Sequence, residues 1–259
     1  MEEYNTPFDQ LDDDRFRDLL RKVADHCETG ATKIISEIGE APAGNAAPEF
    51  GDGCDIILLA GYFDSMADGA RAIADIWQAD PLSYRAIAAV ARSLIETAGA
   101  VVWILDAGTS ERRLYRAQLF YNESLGQHEK MAYDEEQREK LGQVRASLEE
   151  VRKEMGLSEE FPRNTRFVNS LYSGEKNGKA YALLCANTHP DGGATIAYFS
   201  NKRFNKATGA LRTRQFCALV VSALLDVLEK LTSTFDGPEY DTLERDRHLL
   251  LVETFGKRG

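Results

Sequence analysis

Apolar residues recur along this chain at spacings of three and four, and that periodicity predicts helices almost throughout. The first is expected from Pro7 to about Glu28, with Phe16, Leu19, Leu20, Val23 and Cys27 on one face. Thr6 suits its cap, Pro7 its first position and Asp9 its positive dipole end, and Gly30 is expected to end it. Gly39–Gly53 is rich in Gly, Ala and Pro and reads as a loop. A second helix from about Asp55 to Gln78 sets Leu59, Tyr62, Phe63, Met66, Ala70, Ile73 and Trp77 inward. Asp64, Asp68, Arg71 and Asp75 form its wet face. Asp80-Pro81 then reads as a cap and first-turn proline opening Pro81–Asp106, which Gly108 closes. That segment is apolar on nearly every side, the mark of a central buried helix, yet it carries Arg92 and Glu96 one turn apart.

Thr109 or Ser110 is placed to cap a long helical stretch reaching about Met155, with a break expected around Gly126 and His128. Its second part, Tyr133–Met155, has only the narrow stripe Leu141, Val144, Leu148 and Val151 among many charges. Such a helix packs on one neighbour and is expected to project or to join a dimer. After Pro162, helices are expected at Thr165–Tyr172, Lys179–Asn187, Thr213–Thr232 and Glu239–Phe255, with a turn at Ser173–Gly178. Ala194–Ser200 hints at a strand, but one short strand makes no sheet. The expected fold is all-α, a multi-helix bundle around a buried central helix (about 81–106) with a long charged helical hairpin (about 109–155). Residues 1–259 are read as one helical domain.

Charge and composition narrow the function classes. The 259-residue chain is 43% hydrophobic and 28% charged, ordinary for a globular protein, with a net charge of -11. That charge opposes non-specific attraction to nucleic acid or an anionic membrane, unless a local basic patch overrides it. The opening Met-Glu-Glu-Tyr-Asn lacks the basic and apolar regions of a signal peptide, and Arg92 and Glu96 interrupt the best candidate span. A cytoplasmic location with no membrane partner is the expectation. Cys27, Cys54, Cys185 and Cys217 are widely spaced and read as reduced thiols.

Familiar catalytic signatures are missing or broken. Gly174–Ala180 resembles a phosphate loop but is one residue short, with Ala180 where a magnesium-binding hydroxyl belongs. Ser173–Lys176 fits Ser-x-x-Lys without its companion motifs. His26, His128, His189 and His248 fall in no metal-binding spacing, so no metal and no cofactor is expected. Three features remain. Arg92 and Glu96 are either a structural ion pair or the wall of a polar pocket. His189, past a helix end, is either a carbonyl cap or an acid–base group. From Gly192 to Leu225 there is no Asp or Glu, while Lys202, Arg203, Lys206, Arg212 and Arg214 crowd together. Arg112, Arg113 and Arg116, with Tyr115, Phe120 and Tyr121, form a second cluster. Basic groups interleaved with aromatics can follow a nucleic-acid strand, although a solvated face balancing acidic helices is commoner.

Two segments carry a family resemblance over about Asp80–Pro190. Ala91-Arg92-Ser93-Leu94-Ile95-Glu96 with Trp103–Asp106, and Tyr181-Ala-Leu-Leu-Cys185-Ala-Asn-Thr-His189-Pro190, resemble the two signatures of a group of uncharacterised, mostly bacterial all-α proteins. Cys185 stands where that group usually has serine. The group is in turn similar to the HEPN helical bundles, some of which are RNases of phage-defence and toxin–antitoxin systems. The resemblance implies that Arg92, Glu96 and His189 converge in one polar pocket. The Arg-x(4–6)-His hallmark of HEPN nucleases is matched once, by Arg21 and His26. With 20 arginines and 4 histidines, about one such match arises by chance. Two readings follow: a cytoplasmic helical interaction or regulatory module, a homodimer through the 109–155 hairpin, or a HEPN-like RNA-directed protein. The second would use Arg92, Glu96 and His189, or alternatively Arg21 and His26, with the Lys202–Arg214 cations holding RNA. Whether the chain is an enzyme is left open by the sequence.

Overall fold

The structure is a computed structural model that describes residues 11–37, 53–162, 167, 171, 177–188 and 192–255. Among the described residues there are nine helices and no strand, so the fold is an all-α multi-helix bundle. Helix α1 is Asp13–Ser36, and Asp12 caps it by accepting the Arg15 amide at 2.8 Å. Both expected ends are corrected. The start is set by Asp12 with acidic Asp13 and Asp14 in the first turn, while the expected start at Thr6 and Pro7 lies outside the described residues. Gly30 does not stop the helix. A Cβ there would sit 3.1 Å from both Phe63 and Leu231, so this glycine admits two neighbouring helices rather than ending its own.

Gly53, in the left-handed region at φ 95°, leads into α2, Cys54–Ala79. The rest of the expected 39–53 loop lies outside the described residues. Leu59, Phe63, Met66, Ala70, Ile73 and Trp77 of α2 are buried as their spacing requires, and Asp64, Asp68 and Asp75 are exposed. Asp80 and Pro81 form a separate turn instead of the start of the next helix. Asp80 accepts the Leu82 amide at 3.0 Å and the Ser83 hydroxyl at 2.9 Å, and Ser83 is the N-cap of α3, Tyr84–Leu105.

Helix α3 is the central one. It packs against α2 on one side and against α8, Lys206–Thr234, on another. Ile87, Ala91, Ile95, Ala98, Val101 and Ile104 are buried between them. Each large aliphatic side chain enclosed in this way stabilises the fold by about 1.5–3 kcal/mol. α3 is long and apolar enough to cross a membrane, but 61% of that stretch is buried inside the bundle. α1 completes the layer by pairing along α2, with Phe16 against Trp77 at 5.4 Å between ring centroids. α9, Pro238–Phe255, closes over α8 and α1.

α4, Ser110–Lys130, is capped by Thr109, which accepts the Arg112 amide at 3.2 Å. Its first half buries Tyr115–Leu119, and its second half is paired with α5, Glu135–Glu154. The break falls at Met131–Asp134 and not at Gly126, because Asp134 caps α5 by accepting the Gln137 amide at 2.7 Å. Leu148 is the buried residue of α5, and Met131 and Tyr133 at the hairpin tip are exposed.

Two short helices follow: α6, Asn177–Thr188, and α7, Gly192–Arg203. α7 covers Ala194–Ser200, where the sequence hinted at a strand, and agrees with the all-α expectation. Thr195, Ile196, Tyr198 and Phe199 favour strands, but no neighbouring strand is described to receive their backbone bonds, and a helix satisfies those bonds internally. α8 begins earlier than expected because Asn205 caps it, accepting the Thr208 amide at 3.3 Å. The helix expected at Thr165–Tyr172 lies outside the described residues except for Phe167 and Leu171, both buried.

Candidate functional site

Two places concentrate the residues singled out by the sequence: a polar seam between α3 and α6, and the elbow where α7 turns into α8. In the seam, Arg92 Nε donates to Glu96 Oε1 at 2.9 Å. Arg92 Nη1 donates to the Thr188 hydroxyl at 3.2 Å, and that hydroxyl donates to the Cys185 carbonyl at 3.0 Å. Two turns earlier on α3, Arg85 Nε donates to the Asn187 carbonyl at 3.0 Å and its Nη1 to the Thr195 hydroxyl at 3.1 Å. Both guanidinium groups therefore meet the C-terminal end of α6, where the helix dipole favours positive charge.

The ion pair is not deeply buried. Arg92 and Glu96 keep 28% and 26% of their side-chain surface, which corrects the expectation of an enclosed pair at the middle of α3. They lie on the side of α3 that meets α6, whereas α2 and α8 cover the apolar sides. Water reaches such a pair and removes most of the desolvation cost, so the less favourable Arg-before-Glu order on one helix is tolerable. His189, the third group of the expected pocket, lies outside the described residues.

Arg21 and His26, the alternative pair, diverge. Five positions apart on a helix, they point roughly 140° away from each other. Arg21 Nη2 reaches α2, donating to Asp75 Oδ1 at 3.0 Å and Gln78 Oε1 at 2.8 Å. His26 lines a shallow cleft of about 270 Å³ between α1 and α9, with Lys22, Asp25, Asp246 and Glu253 around it. Burial lowers its pKa below the ordinary histidine value, against the opposing pull of Asp246 and Asp25. No shared site for Arg21 and His26 exists within the described chain.

The five cations beyond Gly192 divide by what they touch. Lys202 Nζ is 2.7 Å from Asp80 Oδ2, and this contact, with the Leu82 amide, holds the Asp80 carboxyl below the usual range. Arg214 Nη1 is 2.9 Å from Asp13 Oδ1, and its Nη2 donates to the Leu11 carbonyl. These two fasten α7 to the turn before α3, and α8 to the start of α1. Arg203 and Lys206 are exposed and Arg212 is half-buried, and no ion pair to a described residue engages them.

The second basic cluster is consumed by structure. Arg112 and Arg116 both pair with Glu159, and Arg113 Nε is 2.6 Å from Asp55 Oδ2. Burial pushes the Glu159 carboxyl up, but the hydrogen bonds from Arg116 and Arg112 outweigh it and hold it below the usual range. Arg116 also stands over the Trp103 ring at 4.8 Å, and Arg113 over Phe235 at 4.7 Å.

Sequence reasoning missed the apolar part of the elbow. Ile196, Phe199 and Phe204 are 72%, 57% and 80% exposed. The Phe199 and Phe204 rings meet edge to face, 6.2 Å between centroids and 73° between planes. Read as a strand, Ile196 and Phe199 would have faced opposite sides, and only helical spacing puts them together. The missing acids from Gly192 to Leu225 were the signal available in the sequence. Among the described residues, no group of three His, Cys, Asp or Glu could hold a metal ion. Compared with known proteins, the chain matches no family model, no curated protein and no solved structure.

Proposed function

We propose that this chain is a cytoplasmic helical interaction module of HEPN-like architecture that docks a partner at the α7–α8 elbow. The observation that carries the reading is the exposed trio Ile196, Phe199 and Phe204 beside Arg203 and Lys206. Folding buries apolar groups wherever a neighbour is available, and a contiguous set left open beside cations suits association. The Arg92–Glu96 seam is read as a structural brace, since its donors end on the last carbonyl and hydroxyl groups of α6.

The same module is proposed to self-associate through the α4–α5 hairpin, whose tip exposes Met131 and Tyr133. Sedimentation across a concentration series tests this. Wild type should dimerise, Met131→Ser/Tyr133→Ser should weaken the dimer, and Phe199→Ser/Phe204→Ser should leave it intact. A wild-type monomer at high concentration removes the dimer.

A second reading keeps the chain RNA-directed. It is favoured by Arg203 and Lys206, which flank Phe204 in the chain, and by Arg212 further along α8, three cations in no ion pair with a described residue. Incubation with a short single-stranded RNA at about 50 mM salt decides between them, because phosphate contacts are strongest at low salt. Neither binding nor cleavage would leave the interaction module.

A further inference from the structure

We propose that the elbow docks on an anionic lipid surface, with Ile196, Phe199 and Phe204 entering the headgroup layer and Arg203 and Lys206 lying at the phosphates. The proposal rests on reading the elbow as the docking face and names what the face takes. Ile196 and Phe199 are one turn apart on α7, and Phe204 follows its last residue, Arg203. Phe204 and Phe199 touch, so the apolar groups present one wedge at the corner of the bundle.

Charge complementarity selects the occupant. The wedge is bordered by Arg203 and Lys206, with Arg212 further along α8, and the chain has no acid between Gly192 and Leu225. The protein as a whole carries -11, so attraction to an anionic bilayer has to come from local cations such as these. Apolar side chains set between cations are what an interfacial element presents to anionic lipid, where the rings sit below the phosphates and the long cationic stems reach up to them.

Geometry weighs against the two other occupants. A single-stranded nucleic acid needs open ring faces on which to stack bases. Here the edge-to-face contact takes one face of one ring, which leaves less stacking surface than two parallel open rings, and Ile196 offers no ring at all. A second copy would have to present an acidic recess to a protruding wedge. Both acidic clefts among the described residues are shallow and carry a cation of their own: Lys22 beside Asp25, Asp246 and Glu253 between α1 and α9, and Arg138 beside Glu129, Glu135 and Glu139 on the hairpin. A bilayer needs no preformed pocket.

Flotation of the full chain with vesicles tests this, using phosphatidylcholine alone and phosphatidylcholine with about 30% phosphatidylserine. Wild type should float with the serine-containing vesicles only, and release as salt rises from about 50 to about 500 mM. Each cation near an anionic leaflet is worth a factor of about five, so Arg203→Ser/Lys206→Ser should weaken binding roughly 25-fold. Phe199→Ser/Phe204→Ser should weaken it by at least about 10-fold. Both keep wild-type helicity by circular dichroism, because the replaced groups are exposed. Ile35→Ser, which removes an exposed apolar side chain from the last turn of α1, away from both proposed association surfaces, should bind as wild type does. Emission of Phe204→Trp should shift to the blue with the anionic vesicles alone.

Equal binding to both vesicles, no binding to either, or equal loss in Ile35→Ser overturns the proposal. If vesicles fail but RNA binding or self-association disappears in Phe199→Ser/Phe204→Ser, the lipid is wrong and the docking face stands. If those two substitutions change no association at all, the docking face falls with it.

Discussion

Helices α3 and α7 are built from similar residues and end in opposite surroundings. Both combine alanine with isoleucine and aromatic side chains and contain few charges. In α3, Ile87 is fully enclosed, while in α7 Ile196 is among the more exposed apolar side chains of the chain. The difference lies in the neighbours. α2, α6 and α8 surround α3, whereas α7 has α8 along one side and its Ile196 and Phe199 turned outward. An apolar residue thus reports core or docking surface only once its neighbours are known.

The contrast breaks most sharply at the two isoleucines. Ile87→Ala should cost about 2–5 kcal/mol in urea unfolding, since it leaves a cavity in a closed layer. Ile196→Ala should cost about 0.5 kcal/mol or less. Comparable losses at the two positions would mean that α7 is covered in solution.

Smaller effects sharpen the comparison at the wall of α3. A Cβ on Gly69 would lie 2.5 Å from the Leu94 side chain, so Gly69→Ala displaces Leu94 from its place between α2 and α3 and should cost about 1–3 kcal/mol. Gly61→Ala on the same helix meets nothing within 4 Å and should stabilise by about 0.5–1 kcal/mol. Melting temperatures that move in the same direction would deny the close crossing.

The smallest effect is at the α3–α6 seam. Arg92 and Glu96 are too accessible for the large penalty of an orphaned buried charge, so a double-mutant cycle of Arg92→Ala with Glu96→Gln should give a coupling of about 0.3–1 kcal/mol. A coupling several times larger would indicate that the pair is enclosed in solution.

Much of the architecture was legible because it is local. The faces of α2, the buried interior of α3 and the apolar run of α8 follow from spacing alone, and so does the Arg92–Glu96 contact, four residues apart. What was not legible depends on distant partners. Lys202 belongs to a turn 122 residues earlier, and Arg214 to the start of α1, 201 residues away. Without those contacts, five cations looked like one patch. Gly30 looked like a stop because the sequence does not show that Phe63 and Leu231 press against it. The strand propensity of α7 was real and lost to the want of a pairing edge.

The burial of α3 has a further consequence, for the order in which the chain folds. Pairing of α1 with α2 needs only the first third of the sequence, but α3 is closed chiefly by α8, which is synthesised after the hairpin and both short helices. During that interval a 22-residue helix, long and apolar enough to pass for a membrane span, stands without its largest cover. The contact that completes this core is therefore non-local, and its closure has to wait for the last third of the chain.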